Sequence, residues 1–191
     1  MKHETTKNNL IDQRRMALLD AAADLLATNP SASLAEIAAH AKIGKATLHR
    51  YFESREALVL ALALRSLAAI QQAIAASRPA EGPLDQALLR LAEALVPLGD
   101  KLHFLLSEPM IDQDPTIDLA DRDAQAELRA ALHERQTRGE LREDLSIDWI
   151  LQSMNWLLFA MWHALQHGMV ARRDAPKMLV TTLLGGIAAS E

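Results

Sequence analysis

Three features of this sequence predict an all-α fold. Half of its 191 residues are hydrophobic but only 4% are aromatic, and alanine and leucine dominate; those two residues favour helices, whereas strands draw on β-branched and aromatic side chains. Apolar residues recur at three- and four-residue intervals along most of the chain. The runs are punctuated by clear breakers at Asn29-Pro30, Pro79 to Pro83, Pro97 with Gly99, and Gly139.

The first ten residues, MKHETTKNNL, carry charge but no apolar stretch, so no signal peptide is expected. Residues 1–9 read as a flexible arm whose Lys2 and Lys7 are spare cations. A helix is expected from Arg14 to Ala27, with Leu18, Ala21, Ala22, Leu25 and Leu26 on its inner side. Ser33 to Leu60 then reads as two short helices joined by a tight turn and followed by a longer third. Ser33 and Glu36 form a capping-box pattern, and Leu34, Ile37, Ala38 and Ala41 share a face. Ile43 plugs the turn, and Gly44 fits a turn or cap position. Leu48 and Phe52, four apart, point inward, which leaves a seven-residue tip starting at Lys45, with Lys45, Ala46, Thr47, His49 and Arg50 outward. A short basic helix braced by another is how side chains are presented to the major groove of DNA. A small alanine-rich hairpin with a solvated basic side fits the composition equally well.

These residues resemble the N-terminal domain of TetR-type transcriptional regulators. The resemblance rests on Ile37-Ala38, Ala41-Lys42-Ile43-Gly44, Thr47-Leu48-His49, Tyr51-Phe52 and Ser54-Arg55-Glu56-Ala57-Leu58, with the helix before them, and covers roughly residues 10 to 65. It implies an N-terminal three-helix helix-turn-helix domain (1–53) joined by a long helix to a larger helical effector-binding and dimerisation domain (54–191). This chain departs from the family pattern at four positions. Lys42 stands where glycine is usual, Gly44 where a Ser or Thr hydroxyl would cap the next helix, and His49 where Tyr is usual. Arg55 replaces a lysine. Applied to this chain, the resemblance makes Lys45, Ala46 and Arg50 candidates for base edges, lysine and arginine favouring guanine and Ala46 a thymine methyl. Thr47, His49, Tyr51 and Arg55 become candidates for positioning on phosphate, and Gly44, at the start of the helix, is counted in the same DNA-binding set. His49 adds charge when protonated, so binding is expected to strengthen on acidification. Arg55→Ala is expected to weaken all sequences alike and to flatten the salt slope by about one.

Ser54 caps a long helix to about Ser77 whose apolar residues include Leu58, Leu62, Leu67, Ile70 and Ile74. The next helix begins near Pro83, with Leu84, Leu88, Leu91, Leu95 and Val96 inward. A short helix over about Lys101 to Leu106 and a loop over Ser107 to Thr116 follow. Ile117 to Arg138 is amphipathic, with Leu119, Leu128 and Leu132 inside, and Gly139 ends it. Ser146 and Asp148 open another helix. From Ile150 to Ala171 there is no charged side chain, yet Gln152, Ser153, Asn155, His163, Gln166 and His167 interrupt the run, so it is read as a helix buried on several sides and not as a membrane span. The last helix, about Pro176 to Ala188, carries Met178, Leu179, Leu183, Leu184 and Ile187, and Gly185-Gly186 allows close approach. The last two helices (about 146–168 and 176–188) are the expected homodimer surface, two pairs forming a four-helix bundle. A two-fold dimer matches a palindromic stretch of double-stranded DNA.

The net charge of −5 is unevenly spread: residues 1–65 balance at +2 and residues 66–191 at −7. An acidic body with a mildly basic head orients head-first towards a polyanion. With no cysteine there is no disulfide or thiolate metal site. The sequence lacks a Glu-x-x-His repeat, a Walker A motif and a Gly-x-Ser-x-Gly elbow, so no catalytic residue, metal or cofactor is expected, and the setting is expected to be cytoplasmic. A helical adaptor that binds protein and not DNA is the alternative; salt-sensitive DNA binding separates the two. The resemblance also implies a cavity for a small hydrophobic effector. His103, Phe104, Met110, Trp156, Phe159 and His163 are its candidate lining, although the tryptophans, with Trp149 and Trp162, suit the core or dimer interface as well. Ligand binding is expected to shift the Ser54–Ser77 helix and reset the two heads.

Overall fold

The computed structural model describes residues 2–99, 105, 108, 111 and 114–187; of residues 2–11 and 187 the backbone alone is described. Among these residues there are eight α-helices and no strand. They are α1 (Lys2–Leu26), α2 (Leu34–His40), α3 (Lys45–His49), α4 (Arg55–Ser77), α5 (Leu84–Leu95) with a 3₁₀ turn at Val96–Leu98, α6 (Pro115–Thr137), α7 (Ile147–Gln166) and α8 (Ala175–Ile187). The all-α expectation holds.

Sequence-local chemistry fixes most helix ends. Ser33 accepts from the N–H of Glu36 at 3.3 Å while the Glu36 carboxylate accepts from the Ser33 N–H at 2.8 Å, completing the capping box. Ser54 caps α4 through Ala57 N–H at 3.1 Å and Ser146 caps α7 through Trp149 N–H at 3.2 Å. Asp114 caps α6 ahead of Pro115, so that helix starts two residues before the expected Ile117. The arm expected at residues 1–9 is instead the first turns of α1 from Lys2; no glycine or proline interrupts the sequence until Pro30, so nothing in the backbone stops the helix.

Two cores result. The head core joins Leu18, Leu19, Ala22 and Leu26 of α1 with Ile37 and Ala38 of α2, Leu48, Phe52, and Leu58, Val59 and Leu62 of α4. The body core joins Ile74 of α4 with the inner faces of α5, α6, α7 and α8. Helix α4 therefore serves both, its Leu58, Val59 and Leu62 packing in the head core and its Ile74 in the body core. Leu105 and Ile111, which lie between α5 and α6 in sequence, pack on the head core. Arg65 ties α4 to α1 through Asp20 at 2.5 Å and the Met16 carbonyl at 3.3 Å. Helix α4 is long and apolar enough to cross a membrane by length and composition, but its Leu58, Val59, Leu62 and Ile74 are spent on these two protein cores.

The α4–α5 corner is locked by two arginines. Arg90 donates to the carbonyls of Ser77 (2.9 Å), Arg78 (3.0 Å) and Glu81 (2.7 Å). Arg135, only 1% exposed, donates to those of Pro79 and Gly82 at 3.0 Å and pairs with Glu140. Five carbonyls of one short loop thus share two guanidinium groups, which tie the corner to α5 and α6.

Two apolar side chains depart from expectation. Leu119 is 62% exposed, since the inner face of α6 runs Ile117, Ala124, Leu128, Leu132 and Arg135 and places Leu119 on the far side. Met178 is also exposed, while Leu179 and Leu183 face the core.

Candidate nucleic-acid interface and effector cavity

Helix α3 is held from behind and bare in front. Leu48 is fully buried and Phe52 nearly so, under the cation of Arg15 at 5.1 Å from its ring centre. Gly44 is the N-cap in an extended conformation and makes no side-chain cap bond, so the first N–H groups of α3 face solvent. Lys45, Ala46, His49 and Arg50 are exposed, and Thr47 is half-buried. The regular helix ends at His49; Arg50 continues in helical backbone as the C-cap, which makes the tip shorter than the seven residues expected while keeping Arg50 on its surface. Tyr51 packs partly against the head core. Lys45, His49 and Arg50 lie close together on this face, and their side chains form no hydrogen bond or ion pair within the described chain. An unpaired basic tip on a rigid base is suited to a polyanion that supplies the missing acceptors.

Arg55 is placed differently from the expectation. Its guanidinium donates from Nε to the Ala32 carbonyl (3.1 Å), from Nη2 to the Pro30 carbonyl (2.6 Å), and from Nη1 and Nη2 to the two Glu108 oxygens (3.2 and 2.5 Å). Four donors are committed inside the chain, and the bond to Glu108 raises its pKa further above the usual arginine value. Arg55 is a brace between the head and Glu108, not a free phosphate grip. The sequence could not show this, because Glu108 lies 53 residues away.

The sensing side also differs. His103, Phe104 and Met110 lie outside the described residues. Trp156, 61% exposed, and His163 stand on the outer face of α7, away from the interior; they cannot line an internal cavity. Phe159 is half-buried between Trp156 (5.7 Å, edge-on) and Trp162 (5.6 Å). Trp162 is buried and its indole N–H donates to the Val96 carbonyl at 3.1 Å. Among the described residues a small cavity of about 30 Å³ lies between α5, α6, α7 and α8, lined by Leu88, Leu91, Ala92, Leu95, Leu128, Met154, Asn155, Leu158, Leu179 and Leu183. Asn155 is its one polar wall residue. Its amide reaches the buried Gln125 at 3.5 Å, and Gln125 donates to both Asp121 oxygens at 2.7 and 2.8 Å. Sequence reading missed this site by looking for large or unusual side chains. The usable signal was the stripe Leu151, Met154, Asn155, Leu158, in which Asn155 alone is polar.

An exposed recognition helix carried on a helical body with its own cavity defines a DNA-binding transcriptional regulator with its sensing unit on the same chain. Comparison with known proteins supplies the lineage. Residues 18–62 match the family model for bacterial regulatory proteins of the tetR family. The chain is 33% identical over 180 residues to the HTH-type transcriptional repressor LfrR of Mycolicibacterium smegmatis, covering 92% of this chain and 91% of the relative. It overlays the LfrR structure in complex with proflavine with a TM-score of 0.79 at 31% identity, over 95% of this chain and 99% of that one. A TetR family regulator from Marinobacter aquaeolei VT8 shares the fold at the same TM-score with 18% identity, over 96% of this chain and all of that one. The chain belongs to the TetR family of transcriptional regulators.

Proposed function

We propose that this protein is a cytoplasmic repressor that binds a palindromic operator as a homodimer and is released by a small, largely apolar effector. The observation that carries the reading is the α3 tip, anchored by Leu48 and Phe52 and unpaired at Lys45, His49 and Arg50. Lys45, Ala46 and Arg50 read base edges. Gly44, through its neighbours' free N–H groups, with Thr47, His49 and Tyr51, positions the helix on phosphate. Arg55 holds the head to the body instead.

The dimer forms through the outer faces of α7 and α8. Trp149 and Trp156 are about 60% exposed on α7, in line with Gln152, Ala160 and His163. On α8 the exposed residues are Lys177, Met178, Thr181, Thr182, Gly185 and Gly186, of which the threonines and glycines are small enough to let helices approach closely. Two tryptophans left in water are costly for a monomer and useful for an interface.

The effector enters the α5–α8 cavity. At about 30 Å³ the cavity is too small for a drug-sized ligand, which needs roughly 300–1,000 Å³, so binding selects a minor, wider state. Asn155, backed by Gln125 and the Asp121 carboxylate, suits a ligand whose apolar body ends in a hydrogen-bond donor or a positive charge; proflavine, bound in the LfrR structure, is the first probe. Opening displaces α5. The locked corner carries α4 with it, and the contacts of Leu105, Glu108 and Ile111 with the head, the second through Arg55, pass the motion to the recognition helices.

Selection of bound fragments from random duplexes tests the whole reading. The expected product is a palindrome with half-sites one helical turn apart, about 34–36 Å, or a multiple of it, with affinity falling steeply as salt rises. Failure to enrich any sequence at low salt refutes it in favour of a protein-binding adaptor.

A further inference from the structure

Lys42 is the only residue of the head with a positive φ, at 56°. It sits just past the end of α2, where its N–H donates to the Ala39 carbonyl at 3.0 Å and the Ile43 N–H to the Ala38 carbonyl at 2.9 Å. This paired closure is a Schellman end, and its left-handed residue is normally glycine, because a Cβ there crowds the backbone. The only other non-glycine residue with positive φ among those described is Arg78, at 49°, and that one has internal partners: its carbonyl accepts from Arg90 and its side chain pairs with Glu81. Lys42 has neither. Its side chain is exposed and makes no hydrogen bond or ion pair within the described chain. Next to it, Ile43 packs on the head core, so the turn is pinned and Lys42 and Gly44 flank it on the solvent side, directly ahead of the α3 tip.

Strain retained at a surface position without an internal partner points to a partner outside the molecule. The net charge of residues 1–65 is only +2, so each free cation near the tip weighs heavily. We infer that Lys42 is a DNA-backbone contact: its ammonium, on a flexible four-carbon stem, meets a phosphodiester at the rim of the groove that α3 enters. A mobile point charge set back from the tip by the turn matches phosphate and not a base edge, which demands fixed bidentate geometry.

This rests on the DNA-binding reading and is tested so that the two can fail separately. The full-length protein is titrated by fluorescence anisotropy against the palindrome recovered above and an unrelated duplex, from 50 to 200 mM salt. Lys42→Gln keeps a polar side chain, one bond shorter, and the backbone demand, and removes the charge. Two such contacts per dimer contribute about 0.9 each to the log–log salt slope, so Lys42→Gln should flatten it by about 2. The wild-type advantage over the variant should then shrink about twelvefold across that salt range, equally on both duplexes. Lys42→Arg should keep the wild-type slope. Lys42→Gly should lose the slope as Lys42→Gln does while melting about 2–4 °C higher, from relief of the backbone strain. A wild-type slope in Lys42→Gln, or a loss confined to the palindrome, overturns the assignment. If Arg50→Ala still relaxes sequence preference in that case, the DNA reading stands without Lys42. If the wild-type protein itself ignores salt and DNA, both fall.

Discussion

Replacing Gly99 by alanine asks whether the contact between the end of α5 and Trp162 is as tight as the geometry requires. A Cβ at residue 99 would lie 2.1 Å from Trp162 Cδ1, 2.3 Å from Cγ and 2.5 Å from Nε1, about 1.5 Å short of ordinary carbon contact. The indole cannot swing away freely, being 2% exposed and bonded to the Val96 carbonyl at 3.1 Å. Backbone conformation does not oppose the change, for φ −59° and ψ −24° suit alanine and would by themselves favour it by about 1 kcal/mol. Against that stand overpacking, about 1–3 kcal/mol, and a displaced buried hydrogen bond, about 1–3 kcal/mol. The net expectation is a loss of about 3 kcal/mol, or a Tm lowered by roughly 6–12 °C for a domain of this size. Thermal unfolding followed by circular dichroism at fixed protein concentration measures it, concentration being held because a dimer's Tm depends on it. Trp162→Ala removes Cγ, Cδ1 and Nε1 from the collision together, so the double variant should be less damaged than the sum of the two single changes. A Gly99→Ala protein that melts a few degrees higher than wild type would refute the argument, since only the helix-propensity gain would then be acting.

Arg55→Ala should lower stability by on the order of 2 kcal/mol, because it strips charged hydrogen bonds from a mostly buried Glu108 and two carbonyls, while leaving the salt slope of DNA binding unchanged; denaturant titration and anisotropy read the two effects separately. Trp156→Asp should convert the dimer to monomer in sedimentation equilibrium and weaken operator binding at least tenfold, whereas a dimer of unchanged affinity would move the interface elsewhere. Asn155→Leu should lower proflavine affinity roughly tenfold, a loss of about 1.4 kcal/mol, and leave operator binding intact in the same assay. The Glu36 carboxyl is held below the usual glutamate value first by the Ser33 hydroxyl and then by the Ser33 N–H. Its capping contribution is therefore fully present above the ordinary glutamate pKa, near 4.3, and is lost as pH falls through the lowered value, so Glu36→Gln should flatten the acid limb of a stability–pH profile.

Local signals in the sequence carried the head a long way. The Ser33–Glu36 box, the Leu48–Phe52 spacing and the Ser54 cap each depend on residues within four positions of one another, and each is found in place. The same locality set most of the helices and their breakers. The misreadings arose where periodicity could not orient a face: Leu119 and Met178 sit on helices whose apolar residues outnumber their inward positions, so only the packing of neighbouring helices chose which of them to cover.

The sequence by itself determined an all-helical chain whose head exposes Lys45, His49 and Arg50, because helix periodicity and capping act over one turn and need no distant partner. Tertiary structure alone decided that Arg55 braces Glu108, that Trp156 and His163 face outward, and that the cavity belongs to Asn155 and a ring of leucines. Those outcomes turn on which of several apolar faces meet and on partners up to 66 residues apart, as between Trp162 and Val96, and pairings at that range are settled only when the helices close on one another and exclude water.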